Sequence, residues 1–321
     1  MKKIKFGKKM KIATIVTAIV AVVSCLFGVG AIKNNNYNSA SPETPANVSE
    51  ATTVMTANDT VIENTITGCN FSGGATYLVI STGTTYTLED CTFDGASEQA
   101  VVVNGGTLNL KNCSITNGNS STNGVAIYAT DGIVNVEDTV ITGNTLESGY
   151  GAGIYVSGSA TLNLIGKTII ADNTISDATS TTNGGSAIYI EGKGSEDGNM
   201  ATLNIGTEDK PFTGTISANV INNGNGTINA ASYTKVNFNS GVVGQNIVTD
   251  AEGNDVIYDA NIVNGDGEVF YIGATSTLYI ANEATLKGMV ATESPMIIGG
   301  NIFVEGSVLD VQNYIYSVKA K

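Results

Sequence analysis

Residues 101–141, VVVNGGTLNLKNCSITNGNSSTNGVAIYATDGIVNVEDTVI, hold one unit of a repeat and most of the next. Val101-Val102-Val103 is answered by Ile127-Tyr128-Ala129, Leu108-Asn109-Leu110 by Val134-Asn135-Val136, and Cys113-Ser114-Ile115 by Thr139-Val140-Ile141. Each triplet alternates on a period of two, and Gly, Asn, Asp and Ser bound it on both sides. That is the pattern of short strands closed by turns, and no segment beyond the leader carries a 3.6-residue apolar stripe.

Working outward, the middle row continues as Leu162-Asn163-Leu164, Leu203-Asn204-Ile205 and Val236-Asn237-Phe238, with variants Tyr86-Thr87-Leu88, Leu278-Tyr279-Ile280 and Leu309-Asp310-Val311. The row before it adds Leu78-Val79-Ile80, Ile154-Tyr155-Val156, Ile188-Tyr189-Ile190 and Phe270-Tyr271-Ile272. The row after it adds Cys69-Asn70-Phe71, Cys91-Thr92-Phe93 and Thr168-Ile169-Ile170, with Asn144, Asn173 and Asn219 closing their strands. The unit is therefore a triplet of unlike strands, which suits a chain winding once per repeat better than paired hairpins.

One such coil is not stable alone. About six inward apolar side chains contribute ~1.5–3 kcal/mol each, against ~1–2 kcal/mol for ordering each of ~22 backbone residues. Coils above and below must complete its hydrogen bonds and cover its apolar edge. In each middle triplet the outer residues point inward and the central Asn faces water.

The unequal triplets, the openings Gly153-Ile154-Tyr155 and Ser186-Ala187-Ile188-Tyr189, and the Thr-Ile-x-x-Asn endings resemble right-handed parallel β-helix proteins over roughly residues 59–316. The chain looks most like repeat-bearing surface proteins and adhesins of the polymorphic-outer-membrane-protein type, and is similar in architecture to pectin lyase-like enzymes. The resemblance implies an all-β solenoid at 59–316 and implies fold more than activity; the leader adds a hydrophobic N-terminal helix ahead of it.

Composition restricts the chemistry. The 321 residues include no His, no Trp and no Arg, so all 15 basic residues are lysines. This removes imidazole bases, His-ligated metals and guanidinium clamps. The family's lyases use an Arg or Lys base with calcium-binding carboxylates, and the related hydrolases use paired Asp with a His–Arg cluster, so this sequence departs from both patterns. From Lys33 onward nine lysines stand against 29 acids, a balance of −20 that disfavours nucleic acid.

Six lysines (Lys2, Lys3, Lys5, Lys8, Lys9, Lys11) precede the uncharged residues 12–32, which read as a signal peptide or membrane anchor. Three routes stay open: cleavage after Ala31, lipidation of Cys25 within the bacterial-lipoprotein-like Val22-Val23-Ser24-Cys25, or retention as an uncleaved span. Each places the body outside the cytoplasmic membrane, extracellular or at the cell surface, with membrane contact through the N-terminal segment only. Residues 33–58, rich in Asn, Ser, Thr, Ala and Pro, read as a flexible linker, and 317–321 as a tail.

Cys69, Cys91 and Cys113, each 22 residues from the next, should stack in one column, either as reduced thiols continued by Thr139 and Thr168 or with one bridge among the three. The acids at 250–268 do not follow a calcium-loop spacing and read as a solvated turn region. Glu89-Asp90 and Glu137-Asp138 read as solvent-facing corners rather than acid/base pairs.

The candidate ligand face is Tyr128, Tyr155 and Tyr189, each following an inward Ile, with Tyr271 at the matching place further on. Such a ladder either binds sugar faces or a protein, or only braces its strands. The expectation is a non-catalytic, adhesin-like surface protein without catalytic residues, cofactor or metal, recognising a glycan or a protein on another cell or matrix. The alternative is a polysaccharide lyase or glycoside hydrolase relative.

Overall fold

The computed structural model describes residues 62–304, apart from 178–182, 197, 251–252, 265–268, 288–289, 292–295 and 299–300. The leader with Cys25, the linker, the tail and the Leu309-Asp310-Val311 triplet lie outside the described residues.

The described chain winds into stacked coils whose strands pair in parallel, coil on coil. The first sheet has eight strands: Leu78–Ser81, Val101–Asn104, Ile127–Thr130, Ile154–Gly158, Ile188–Gly192, Ile228–Ala230, Phe270–Ile272 and Met296–Ile298. The second runs from Ile62–Thr67 through Thr84–Glu89, Thr107–Lys111, Ile133–Glu137, Thr161–Ile165 and Ala201–Ile205 to Thr234–Gly244 and Thr277–Lys287. The third runs from Asn70–Ser72 through Thr92–Asp94, Ser114–Thr116, Val140–Thr142 and Ile169–Ala171 to Thr215–Ser217.

The middle triplets align as expected, Leu108 with Val134 and Leu162, and Leu162 with Leu203 and then Val236. Their outer residues are fully buried, and the whole core is one continuous column of such side chains. Several rungs escaped the sequence pattern, among them Thr215–Ser217 in the third row, Met296–Ile298 after Phe270 in the first, and two more. Ile228-Asn229-Ala230 belongs to the first row between Ile188 and Phe270, and Ile302-Phe303-Val304 follows Leu278 in the middle row.

The coil also has a fourth strand where a triplet was expected. Asn119–Ser120, Thr145–Leu146, Thr174–Ile175, Val220–Asn222, Ile262–Asn264 and Val290–Ala291 form a narrow parallel sheet. Strands of two or three residues carry no visible alternation, so they read as turn. Sharp corners separate the sheets. Between second and third, Gly68, Asp90, Asn112, Asp138 and Gly166 take left-handed backbone, with φ from 49° to 64°. Asx residues and glycine adopt that region at least cost, which is why the corners read as Asp and Asn turns. At Gly132, between first and second sheets, a Cβ would strike the Gly106 carbonyl below, so only glycine fits.

The corner disappears higher up. Thr234–Gly244 and Thr277–Lys287 each run through second and third sheets as one 11-residue strand, with a register shift between Phe238 and Ser240. Beyond the first of these, Asn246–Thr249 and Asp255–Tyr258 form an antiparallel hairpin. It is an excursion, since parallel rungs resume at Val220 with Ile262. The turn expected over 250–268 is confined to this hairpin's end, where the Asn254 amide donates to Asp250 Oδ1 at 2.7 Å; Asp255–Tyr258 and Ile262–Asn264 are strands instead. Of the acids counted there, Glu252, Asp266 and Glu268 lie outside the described residues.

Candidate functional site

Two ladders of like side chains dress the outside of the rod. On the second sheet the asparagines bond in series. Asn109 Nδ2 donates to Thr87 Oγ1 at 3.1 Å, Asn135 Nδ2 to Asn109 Oδ1 at 2.7 Å, Asn163 to Asn135 at 2.7 Å, Asn204 to Asn163 at 2.6 Å and Asn237 to Asn204 at 2.6 Å. A groove of about 450 Å³ runs over them, walled by Lys111, Glu137, Asp209 and Lys210. Its lysines are ion-paired: Lys111 meets Glu89 at 3.1 Å, and Lys210 reaches Glu137 at 2.9 Å. Asp90 and Asp138 sit at the exposed corners, as read from the sequence.

On the first sheet, parallel register places Tyr128 on Tyr155 and Tyr155 on Tyr189. The rings stack at centroid distances of 4.8 and 5.4 Å with 5° between planes. The ladder is real, but less exposed than expected. Tyr128 and Tyr155 are half-buried, while Tyr189 is only 5% exposed. Tyr150 causes this, packing on Tyr189 at 4.5 Å and 44°, and the Tyr189 hydroxyl donates to Glu191 Oε2 at 3.0 Å. Desolvation raises the Tyr155 phenol's pKa and raises that of Tyr189 further, with the Glu191 charge adding to the second. Both therefore stay neutral hydroxyls across the physiological range.

Tyr271 shares the column but not the stack, because Asn229 occupies the rung between Tyr189 and Tyr271. A second groove of about 450 Å³ opens there, bordered by Tyr150, Tyr189, Glu191, Asn225, Asn229 and Tyr271 among others. The sequence reading missed Tyr150, Glu191, Asn225 and Asn229. The signal for Asn229 was present in Ile228 and Ala230, which fit the first row at its expected offset. Tyr150 lies in a loop ahead of its strand, where alternation says nothing.

The cysteines stack as expected, and all three are free thiols. Cys113 Sγ lies 3.3 Å from the carbonyls of Leu88 and Lys111, and the Cys113 amide donates to Thr139 Oγ1 at 3.2 Å, which extends the column into the threonines. Contact with Cys113 and burial push the Cys91 thiol up to about 11, so it stays protonated. Among the described residues no three Cys, Asp or Glu gather as a metal cage.

Residues 51–205 match the family model for the right handed beta helix region. That match falls on the coils whose parallel register carries the ladders. The chain folds as a parallel β-helix, and the family matched over 51–205 is the right-handed kind. Comparison with curated proteins and with solved structures gave no match.

Proposed function

We propose that this β-helix is a non-catalytic, adhesin-like binding protein, held outside the cytoplasmic membrane by its lysine-flanked leader and taking a glycan or a cell-surface protein along its tyrosine face. The observation that carries this reading is the tyrosine ladder, whose stacked rings end at an open groove with hydroxyl, carboxylate and amide groups around it. Aromatic faces cover the apolar faces of sugar rings, and convergent polar groups select among them. The pairing of Glu89 and Glu137 with lysines supports a binding role over a catalytic one, because an ion-paired carboxylate is a poor general acid.

Tyr128→Ala/Tyr155→Ala removes the half-buried rungs and leaves the buried Tyr189 in place. It should lose glycan-array or cell binding by about tenfold or more while keeping its far-UV spectrum. Unchanged binding would eliminate this face.

One observation favours the alternative, a lyase or hydrolase. Asp172, although exposed at its corner, has its pKa raised by partial desolvation first and then by the charge of Asp259. A carboxyl that holds its proton more tightly than usual next to a second acid is one feature of acid/base hydrolysis. Incubation with pectins, alginates and host glycans, with and without calcium, decides the matter. Unsaturated or reducing-end products that vanish in Asp172→Asn would establish the enzyme.

A further inference from the structure

The tyrosine column skips one coil, and the skipped coil is built of small or polar residues. Where neighbouring coils present Tyr155, Tyr189 and Tyr271, this one presents Asn229, followed by Ala231 and Ser232. Coils stack at about 4.8 Å, so one absent ring leaves a notch about one ring thick. The Tyr150–Tyr189 pair bounds the notch on one side and Tyr271 on the other, with the Glu191 carboxylate at its rim.

The floor holds a second, independent feature. Asn229 is 2% exposed, and its Nδ2 donates to the Asn225 carbonyl at 2.9 Å. Its Oδ1 is buried without any hydrogen-bond partner. Buried polar atoms are nearly always satisfied, so an orphaned acceptor at the base of an aromatic-walled notch calls for a donor from outside. The donor must arrive on a body thin enough to enter between aromatic rungs. Charge selects further, because the notch bears a carboxylate and no lysine lines it.

We propose that the missing rung is a monosaccharide subsite, in which one neutral pyranose of a glycan enters over Asn229, lies against Tyr271 and the Tyr150–Tyr189 pair, and donates one hydroxyl hydrogen to Asn229 Oδ1, the amide turning outward to meet it, and another to Glu191. This rests on the glycan-binding reading of the tyrosine face and names the subsite within it. Uronic acids are disfavoured by Glu191.

The test uses the full chain, titrated calorimetrically with cellohexaose, maltohexaose and chitohexaose, and with hexagalacturonate as the anionic probe. At least one neutral hexasaccharide should bind saturably, and hexagalacturonate should not. Asn229→Tyr completes the aromatic column and fills the notch, and should weaken that binding by about tenfold or more. Ala231→Phe blocks the same notch from a less buried position and decides the matter if Asn229→Tyr does not fold. Binding unchanged in a folded blocking variant, but lost in Tyr128→Ala/Tyr155→Ala, overturns the subsite and leaves the face standing. Preference for hexagalacturonate overturns the neutral-sugar assignment. Absence of binding to any of the four probes by the unmodified protein overturns the subsite together with the glycan reading on which it rests.

Discussion

The rod carries two asparagine ladders, one wet and one sealed, and the same side chain does different work in each. The outer set, Asn109 to Asn237, bonds only to itself and to Thr87. The inner set, Asn144, Asn173, Asn219 and Asn261, lies buried at the corner between third and fourth sheets. There each amide replaces backbone. Asn173 Nδ2 donates to the Ile141 carbonyl at 3.0 Å, and its Oδ1 accepts the Asn144 main-chain N–H at 3.1 Å. Asn219 repeats this with Ile170 and Asn173, and Asn261 with Ile216 and Asn219. A corner breaks the parallel ladder, and the inner asparagines restore the lost bonds where water cannot enter.

The two ladders should therefore respond very differently to one methyl-for-amide exchange. Asn173→Ala orphans the Asn144 N–H and the Ile141 carbonyl in the interior. At about 1–3 kcal/mol for each unmatched group, the loss is roughly 2–6 kcal/mol. Asn163→Ala removes two bonds that water can replace and should cost only about 0.5–1 kcal/mol. Denaturant melts of the two variants check this. Equal losses would mean that the inner amides are not substituting for main chain.

The contrast also marks what the sequence discloses. The outer row was legible because the alternation of Leu108-Asn109-Leu110 assigns a face to every residue. The inner row was visible only as strand endings at Asn144, Asn173 and Asn219. An asparagine beside a turn ordinarily reads as solvated, and nothing local says that a coil above will bury it. Tyr189 failed in the same manner. Alternation placed its ring outward, correctly, but Tyr150 covers it from a loop whose position depends on tertiary winding. The fourth strands, two or three residues long, are too short for any period. The fold was thus read from positions set by strand geometry, while the groove at Asn229 depends on which coil skips a ring, a relation across about 40 residues of chain.

Charge at the corners gives a second, smaller contrast, with opposite signs. Asp131, between first and second sheets, accepts from Lys193 Nζ at 2.7 Å and from the Ser159 amide at 2.8 Å, so it ties three coils together. Lys193 first, then the Ser159 amide, lowers its pKa from 3.8 to about 2. Asp172, exposed in the left-handed turn just before Asn173, has its pKa raised by partial desolvation and by Asp259. A depressed carboxyl stabilises the fold above its unfolded pKa, and that contribution disappears as pH falls from about 4 through about 2. A raised carboxyl does the reverse: the fold binds its proton more tightly than the unfolded chain, so stability falls as pH rises through and above the ordinary carboxylate range.

Two variants separate these slopes. Asp131→Asn should lower the melting temperature at pH 7 and converge on the parent near pH 2. The loss should be under about 1 kcal/mol, because the Lys193 pair is largely exposed and solvent screens it. Asp172→Asn should raise the melting temperature at pH 7 and change little near pH 3. Asparagine suits that turn, since Asn117 already occupies the same place two coils below at φ 56°. The gain in Asp172→Asn is the smallest effect predicted and the most diagnostic. It would show that the corner leading into the sealed ladder holds a carboxyl the fold prefers protonated. A loss at pH 7 would instead mean that the ionised Asp172 makes a stabilising contact at that corner, and the desolvation argument would fail.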